Sequence, residues 1–212
     1  MGSSVNVRGA FSSERLNYTA LDSKDEEAFN FAYEHLFNDP EMFFQTANTV
    51  LKPEDRATAE KYFDAMARGA ISVAIRLRPD ADKSQGQRNS GEAEVPFPKS
   101  KGRVIGFASL DSLAIPHHRS TTLGLAIAPE FQGQGYGTEA CNWIIDAGFR
   151  RINLHSIALT VFSYNPALKL YERLGFKVEG RRREALWYDG KWHDKILMSM
   201  LEDEWRELRG MN

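Results

Sequence analysis

Hydrophobic and polar positions alternate along the chain in a pattern that predicts interleaved strands and helices. Glu14 to Leu21 alternates loosely enough for a strand, and Asp22 and Ser23 offer an N-cap to the helix that follows. Apolar residues recur at helical spacing up to Asn38-Asp39-Pro40, where we expect the helix to stop or bend. Pro53 to Met66 predicts a second helix, because proline is favoured in a first helical turn.

The middle of the chain predicts two strands separated by a polar segment. Ile71 to Leu77 and Val104 to Leu110 have strand character, whereas residues 79–102 are rich in Pro, Gly, Ser, Asn, Gln and charge and offer almost nothing to bury. We therefore expect residues 79–102 to be a flexible insertion at the tip of a strand pair. The whole chain, residues 1–212, is then a single domain.

The second half alternates between strands and helices more regularly. Its predicted elements are a strand (Thr121 to Ala128), a glycine-rich loop (Gln132 to Gly137), a helix (Thr138 to about Arg151), a strand (His155 to Phe162), a helix (Pro166 to about Gly175) and a hairpin (Glu184 to Met200, turning at Asp189-Gly190). Taken with the first half, this order predicts an α/β protein in which helices pack on a mixed sheet.

Composition narrows the class of protein. The chain has 212 residues, of which 42% are hydrophobic and 26% charged, as in ordinary soluble globular proteins. A formal net charge of −2 argues against a protein that coats nucleic acid. Cys141 is the single cysteine, which excludes an intramolecular disulfide and fits a reducing compartment. Because no apolar run approaches the ~18 residues of a membrane span, we expect a cytoplasmic protein with no membrane partner.

The glycine-rich loop is the most informative segment. Gly133, Gly135 and Gly137 would place bare backbone amides at a helix N-terminus, where the helix dipole favours an anion such as phosphate. An ATP-binding P-loop requires lysine after its last glycine, but Thr138 follows here. The spacing also differs from the G-x-G-x-x-G of dinucleotide-binding folds. The bare pattern therefore leaves a phosphate site and a tight turn equally open.

Several segments together resemble one enzyme family. The loop from Gln132 to Gly137 is similar to the Q/R-x-x-G-x-G/A pyrophosphate loop of the GNAT N-acetyltransferases, and Leu125 to Pro129 resembles the splayed strand before it. Asn165 to Phe176 resembles the family's helix with its YEKLGF signature. Asp189 to Asp194 is similar to the RimJ/RimL-like branch, which acetylates ribosomal proteins. The resemblance covers roughly Val104 to Trp205.

The resemblance implies both a fold and an activity. The fold would be the GNAT α/β fold, a mixed and mostly antiparallel sheet of six to seven strands flanked by about four helices. The enzyme would move an acetyl group from acetyl-CoA directly to a primary amine of a protein N-terminus, a polyamine or another small amine. A catalytically weak CoA-binding sensor or scaffold is the alternative. No metal is expected, since the histidines and the cysteine lack metal-ligand spacing, and the chain could be a monomer or a homodimer.

The resemblance also implies which residues bind CoA. Backbone amides of the loop would hold the pyrophosphate, and the strand before it would pair with the pantetheine arm and polarise the thioester carbonyl. The predicted cofactor-binding residues are Leu125, Ala126, Ile127, Gln132, Gly133, Gln134, Gly135, Tyr136, Gly137, Thr138 and Asn165. Because Asn165 precedes Pro166, it is also a natural helix N-cap.

The resemblance also implies that Tyr171 is the catalytic residue, as the acid that protonates the leaving thiolate. A phenol of pKa near ~10 can donate to a thiolate whose conjugate acid has a pKa near ~8.5. A core aromatic role is the other interpretation of Tyr171, and packing is the expected role of Cys141. No base stands out, because the strand before the loop carries no carboxylate. The candidates are water and the side chains of Glu130, His117, His118, Glu184 and His193.

Overall fold

A computed structural model of the chain describes residues 9–46, 50–79 and 101–211. These residues form one seven-stranded sheet in the order β1-β2-β3-β4-β5-β7-β6. Every neighbouring pair of strands is antiparallel except β4 and β5, which are parallel. The strands are β1 (Leu16–Ala20), β2 (Ile71–Leu77), β3 (Val104–Leu110), β4 (Ser120–Ile127), β5 (Ser156–Phe162), β6 (Lys177–Tyr188) and β7 (Lys191–Leu201).

Six α-helices lie among the described residues. They are α1 (Glu26–Ala32), α2 (Pro40–Thr46), α3 (Arg56–Ala67), α4 (Tyr136–Arg151), α5 (Ala167–Leu174) and α6 (Glu202–Leu208). The expected α/β fold with a mostly antiparallel sheet is confirmed, and it carries six helices where about four were expected. None of the described helices has the length and apolarity needed to cross a membrane.

The two helices that the sequence predicted in the first half of the chain, α1 and α3, begin later than expected. Asp25, and not Asp22 or Ser23, caps α1, since its carboxylate accepts the N–H of Ala28 at 3.2 Å. Asp55 caps α3 in the same way, so Pro53 lies outside that helix. Asp22, Ser23 and Asp25 all meet the local preference for an N-cap near the start of α1, and tertiary packing selects among them.

A helix also forms where the sequence suggested only a break. After α1 the chain continues through one π-helical turn (Tyr33–Phe37), and Asp39 then caps α2 by accepting the N–H of Met42 at 2.9 Å. Pro40 occupies the first position of α2, where its missing N–H costs nothing. Asn38-Asp39-Pro40 is thus both the end of one helical segment and the start of the next.

The C-terminal hairpin is longer than expected. β6 begins at Lys177, seven residues before the predicted Glu184. Register irregularities between Val178 and Gly180 and again between Arg182 and Leu186 interrupt the alternation by which a strand is recognised. The hairpin turn itself lies at Asp189-Gly190 as predicted.

Two hydrophobic clusters lie on opposite faces of the sheet. Along β2, Val73 and Ile75 belong to the cluster that includes α4, whereas Ala74 belongs to the cluster that includes α1 and α3. Arg76 is fully buried and is held by the carboxylates of Asp25 at 2.8 Å and Glu27 at 2.6 Å. The N-terminus of α1 is therefore fixed to β2 by two ion pairs as well as by hydrophobic packing.

The proposed insertion at residues 79–102 lies outside the described residues except at its ends. Its flexibility, and the assignment of residues 1–212 to one domain, stay predictions. The C-terminal end is anchored, since the Gly102 carbonyl accepts a hydrogen bond from Arg76 at 3.0 Å.

Glu139 ties the N-terminal segment to the start of α4. Its carboxylate accepts hydrogen bonds from the Ser13 hydroxyl at 2.6 Å, the Arg15 N–H at 2.7 Å and the Arg15 guanidinium at 2.8 Å. Partial burial acts to raise the pKa of Glu139, but these donors outweigh it, so the pKa lies below its ordinary value.

We expect Glu139→Gln to lower the free energy of unfolding at pH 7 by about 1.5–3 kcal/mol, the scale of hydrogen bonds to a charged group. Because the pKa of Glu139 is lower in the folded state, its stabilisation is present above the unfolded pKa and disappears as the pH falls through the folded value. Urea unfolding of both proteins from pH 7 to pH 3 measures this. The difference should shrink with acid, and the exposed Glu172→Gln serves as control. A difference that stays constant with pH would contradict the ionic role.

Candidate functional site

The site originates where two neighbouring strands separate. β4 pairs with β5 only from Ser120 to Thr122, opposite residues 156–158. Beyond Thr122, β4 remains paired with β3 as far as Ile127, while β5 continues along β7. The edge of β4 that faces β5 therefore has no strand partner from Leu123 onward. A cavity of about 910 Å³ lies along this open edge.

The glycine loop forms one end of this cavity. Gly133 and Gly135 have φ values of +72° and +86°, a backbone region that favours glycine, and Gly135 is the N-cap of α4. No described group accepts a hydrogen bond from the N–H groups of residues 135–138. Arg15 steadies the loop by donating to the Gln134 carbonyl at 2.9 Å. A set of free amides at a helix N-terminus is a site suited to an anion.

Gln132 lines the cavity, but its amide group already has protein partners. The Nε2 atom donates to the Ile127 carbonyl at 2.8 Å and to Gln45 Oε1 at 3.3 Å. The side chain thus connects the end of β4 to α2. Its geometry is that of a residue that holds the loop in place.

Asn165 is similarly engaged on the other side of the cavity. Its Oδ1 accepts the N–H of Ala167 at 2.8 Å, and its Nδ2 donates to the Gln45 carbonyl at 3.0 Å. The N-cap of α5 is Pro166, so Asn165 makes the contact with Ala167 from one residue before the N-cap position predicted for it. Next to it, the Tyr164 hydroxyl donates to the Phe44 carbonyl. Together these bonds hold α2 over the cavity. Whether Asn165 also contacts CoA stays a prediction.

Tyr171 lies in the same cavity, 7% exposed, on the buried face of α5. Its ring packs edge-on against Phe176, and no described group forms a hydrogen bond with its hydroxyl. Burial raises the pKa of Tyr171 well above that of a free phenol. The fully buried Cys141 lies in the same core cluster, where burial raises the pKa of its thiol to about 12. The Tyr171 hydroxyl is therefore a neutral donor without a hydrogen-bond partner among the described residues, on a side chain that lines the cavity.

None of the side chains considered as bases lines this cavity. The five were Glu130, His117, His118, Glu184 and His193. Glu130, for example, lies 3.7 Å from the Arg103 guanidinium.

Two other carboxylates lie on the cavity wall instead. Glu54 is 6% exposed and has the Lys52 ammonium at 3.7 Å. Asp111 follows directly after β3 and donates its N–H to the Thr122 carbonyl at 2.9 Å, which places it beside the point where β4 and β5 separate. Its surface is open to water, yet the surrounding protein raises the pKa of its carboxyl. One signal in the sequence could have identified Asp111. It is the acidic residue directly after the apolar strand β3, and β3 comes before β4, the strand that leads into the glycine loop.

A second cavity, of about 450 Å³, adjoins the first. Asp111 and Thr122 line both cavities. The remaining wall of the second cavity is formed by Ala65, Arg68, Gly69, Ser112, Ala114, Ser120, Thr121 and Ala158.

The comparison with known families agrees with this geometry. The profile of the acetyltransferase (GNAT) family matches residues 59–176, more than half of the 212. The chain belongs to this family. Enzymes of the family use acetyl-CoA, so the chain is an acetyl-CoA-dependent N-acetyltransferase that acts on amines, and the CoA-binding sensor is not favoured.

Relatives of known name support the assignment. YdaF of Bacillus subtilis, assigned as a ribosomal N-acetyltransferase, is 27% identical over 168 residues, which is 79% of this chain and 90% of YdaF. Spermidine N(1)-acetyltransferase of Vibrio cholerae is 38% identical over 89 residues, 42% of this chain, a match that spans about half (51%) of that relative.

A solved structure shows the same fold. The spermidine N-acetyltransferase of Vibrio cholerae in complex with CoA and spermine superposes with a TM-score of 0.67 at 24% identity, covering 91% of this chain and 99% of that one.

Proposed function

We propose that acetyl-CoA lies along the open edge of β4 and that its acetyl group passes directly to a primary amine in the 910 Å³ cavity. One observation carries this proposal. The free N–H groups at the start of α4, the unpaired edge of β4 and the unbonded Tyr171 hydroxyl all border a single continuous cavity.

The loop amides suit the CoA pyrophosphate. The N–H groups of Gln134 to Thr138 gather at the N-terminus of α4, where the helix dipole favours negative charge, and glycine lets a phosphate approach the backbone closely. From there the edge of β4 at Leu125 to Ile127 offers the pantetheine arm the hydrogen bonds of an added strand. One N–H of this edge would stabilise the negative charge that develops on the thioester oxygen.

The transfer needs no covalent enzyme intermediate. The amine nitrogen attacks the thioester carbonyl carbon, the carbon–sulfur bond breaks, and the sulfur leaves as a thiolate that takes up a proton. Tyr171 supplies this proton, and the surplus proton of the nitrogen leaves through water. Because burial raises the pKa of Tyr171, its hydroxyl remains protonated at neutral pH but is a weaker acid than a free phenol.

Primary amines are the proposed acceptor class. Relatives of this chain are named for spermidine and for the alanine of ribosomal protein uS5, and both names denote a primary amine as acceptor. Release of CoA thiol from acetyl-CoA across a panel of polyamines, short peptides and amino acids tests the proposal. Acetylation of any member supports it, whereas CoA binding without turnover on the entire panel would contradict it.

We expect Gly135→Glu to weaken CoA binding far more than Gly135→Gln. Both variants carry the strain of a side chain at φ +86°, so the difference between them reports the added charge at the pyrophosphate loop. Calorimetry should show CoA affinity at least ~10-fold lower for the glutamate variant, since each ~1.4 kcal/mol of repulsion is tenfold. Equal affinities for the two variants would remove the loop from the CoA site.

We expect Tyr171→Phe to lower kcat by about 10²–10³ while acetyl-CoA affinity is retained, because only a hydroxyl that donates to the leaving sulfur is lost. A pH–rate profile of both proteins is the measurement. The defect should shrink above pH ~8.5, where the thiolate leaves without a proton.

Tyr33→Phe is the matched control, since this tyrosine lies outside the cavity lining and its hydroxyl has no recorded bond in the described structure. If wild type and Tyr171→Phe have parallel pH–rate profiles with equal kcat, Tyr171 is not the acid and has only a packing role in the core.

A further inference from the structure

The second cavity has opposite charges on its walls that are not paired with each other. Arg68 follows the last residue of α3, and Asp111 follows the last residue of β3. No ion pair or side-chain hydrogen bond of either residue to another described group is recorded, and the two charged groups are more than 4.0 Å apart. Such a cavity offers one cationic and one anionic contact to whatever enters it.

A glycine sets this arrangement. A Cβ on Gly69 would lie 2.6 Å from the Leu110 carbonyl oxygen and 2.5 Å from the Ser72 hydroxyl, so no side chain fits there. The end of α3 therefore lies directly against the end of β3. Arg68 and Asp111 are the neighbours of the two touching residues, and the close approach brings them to the walls of one cavity.

The second cavity also leads to the reaction centre proposed above. Thr122 is the last residue of β4 that pairs with β5, and it lines both cavities together with Asp111. A ligand in the second cavity would therefore have one end beside the point where β4 leaves β5. Asp111 stands at that end and Arg68 at the other wall.

We propose that the second cavity is the acceptor subsite and that it takes an amine that also carries a carboxylate, an α-amino acid. The inference rests on the proposed function. Asp111 would bind the ammonium beside the thioester, and Arg68 the carboxylate, for which a guanidinium provides two parallel donors. The partly desolvated Asp111 carboxylate gains from a cation, and a polyamine would bring a second cation towards Arg68.

The experiment compares three forms of one substrate. Free amino acids are first screened with acetyl-CoA, and the best one is then compared with its carboxamide and its decarboxylated amine. We expect kcat/KM for the acid to exceed that of both others by at least ~10-fold, equivalent to ~1.4 kcal/mol. A preference for the carboxamide, for peptides or for spermidine would overturn the proposal.

Single substitutions test which residue contacts the carboxylate of the substrate and which contacts its ammonium. Arg68→Gln should lower kcat/KM for the acid at least ~10-fold and leave the carboxamide within about twofold, which is the loss of one charge-assisted contact. Asp111→Asn should lower kcat/KM for all three amines. Lys61→Gln, an exposed change on α3 away from both cavities, is the control and should leave all three unchanged. An equal loss with acid and carboxamide in Arg68→Gln would contradict a carboxylate contact.

The failure of this proposal is distinguishable from the failure of the proposed function. If no amine is acetylated, the proposed function fails, and calorimetry of the amino acid with the CoA-loaded wild type and with Arg68→Gln still tests the subsite. Binding that the variant loses supports the subsite, and an absence of binding to the wild type overturns it. Thermal unfolding confirms that the variants fold, as expected for side chains with no recorded bond among the described residues.

Discussion

The separation of β4 from β5 is the constraint on which the rest of the site depends. Three residues of parallel pairing, Ser120 to Thr122, hold the two strands together, and β4 then follows β3 while β5 follows β7. Backbone groups inside a sheet are normally paired with a neighbouring strand. The open edge of β4 lacks that pairing, and its Ile127 carbonyl accepts a hydrogen bond from the Gln132 side chain instead. α4 connects the two strands, so its N-terminus necessarily lies at the end of that edge. The loop amides at the start of α4 and the open edge of β4 are therefore brought together by one topology.

Polar contacts hold α2 against the cavity that lies along the open edge of β4. Gln45 is the centre of this arrangement, since its side chain accepts from Gln132 at 3.3 Å and its carbonyl accepts from Asn165 at 3.0 Å. Gln132 and Asn165 are two of the residues predicted to bind CoA. They are thus joined through α2, a helix that the sequence did not predict. These amides are buried (Asn165) or partly buried (Gln45 and Gln132), and their hydrogen bonds hold the cavity's shape because movement of α2 would leave donors without partners.

Local sequence pattern was sufficient for those features that depend on neighbours in the chain. β2 and β3 were predicted at their exact bounds, and the glycine loop lies between β4 and α4 as predicted, because strand, loop and helix follow one another directly there. Tyr171 lies two elements later, on α5, and was singled out through the family resemblance. Asp111 and Arg68 were missed for a physical reason. They line one cavity because β2 pairs antiparallel with β3, with Ile71 opposite Leu110, and because Gly69 packs against Leu110. Neither contact leaves a periodic signal in the chain. Long-range contacts of this kind are set by tertiary packing.

The proposed acid, Tyr171, and the proposed ammonium ligand, Asp111, lie in environments of opposite character. Tyr171 sits above a fully buried layer that includes Cys141, where burial raises both pKa values and keeps both groups neutral. Asp111 is exposed, although desolvation raises the pKa of its carboxyl, and the proposed ammonium contact would favour its charged form. A neutral donor suits a sulfur that becomes negative, and a carboxylate suits an amine that arrives positive. Asp111 follows β3 and Tyr171 lies on α5, so the two border the same cavity from different elements of the fold. The burial of Tyr171 and the exposure of Asp111 thus fit the charges proposed for their partners, a negative sulfur and a positive ammonium.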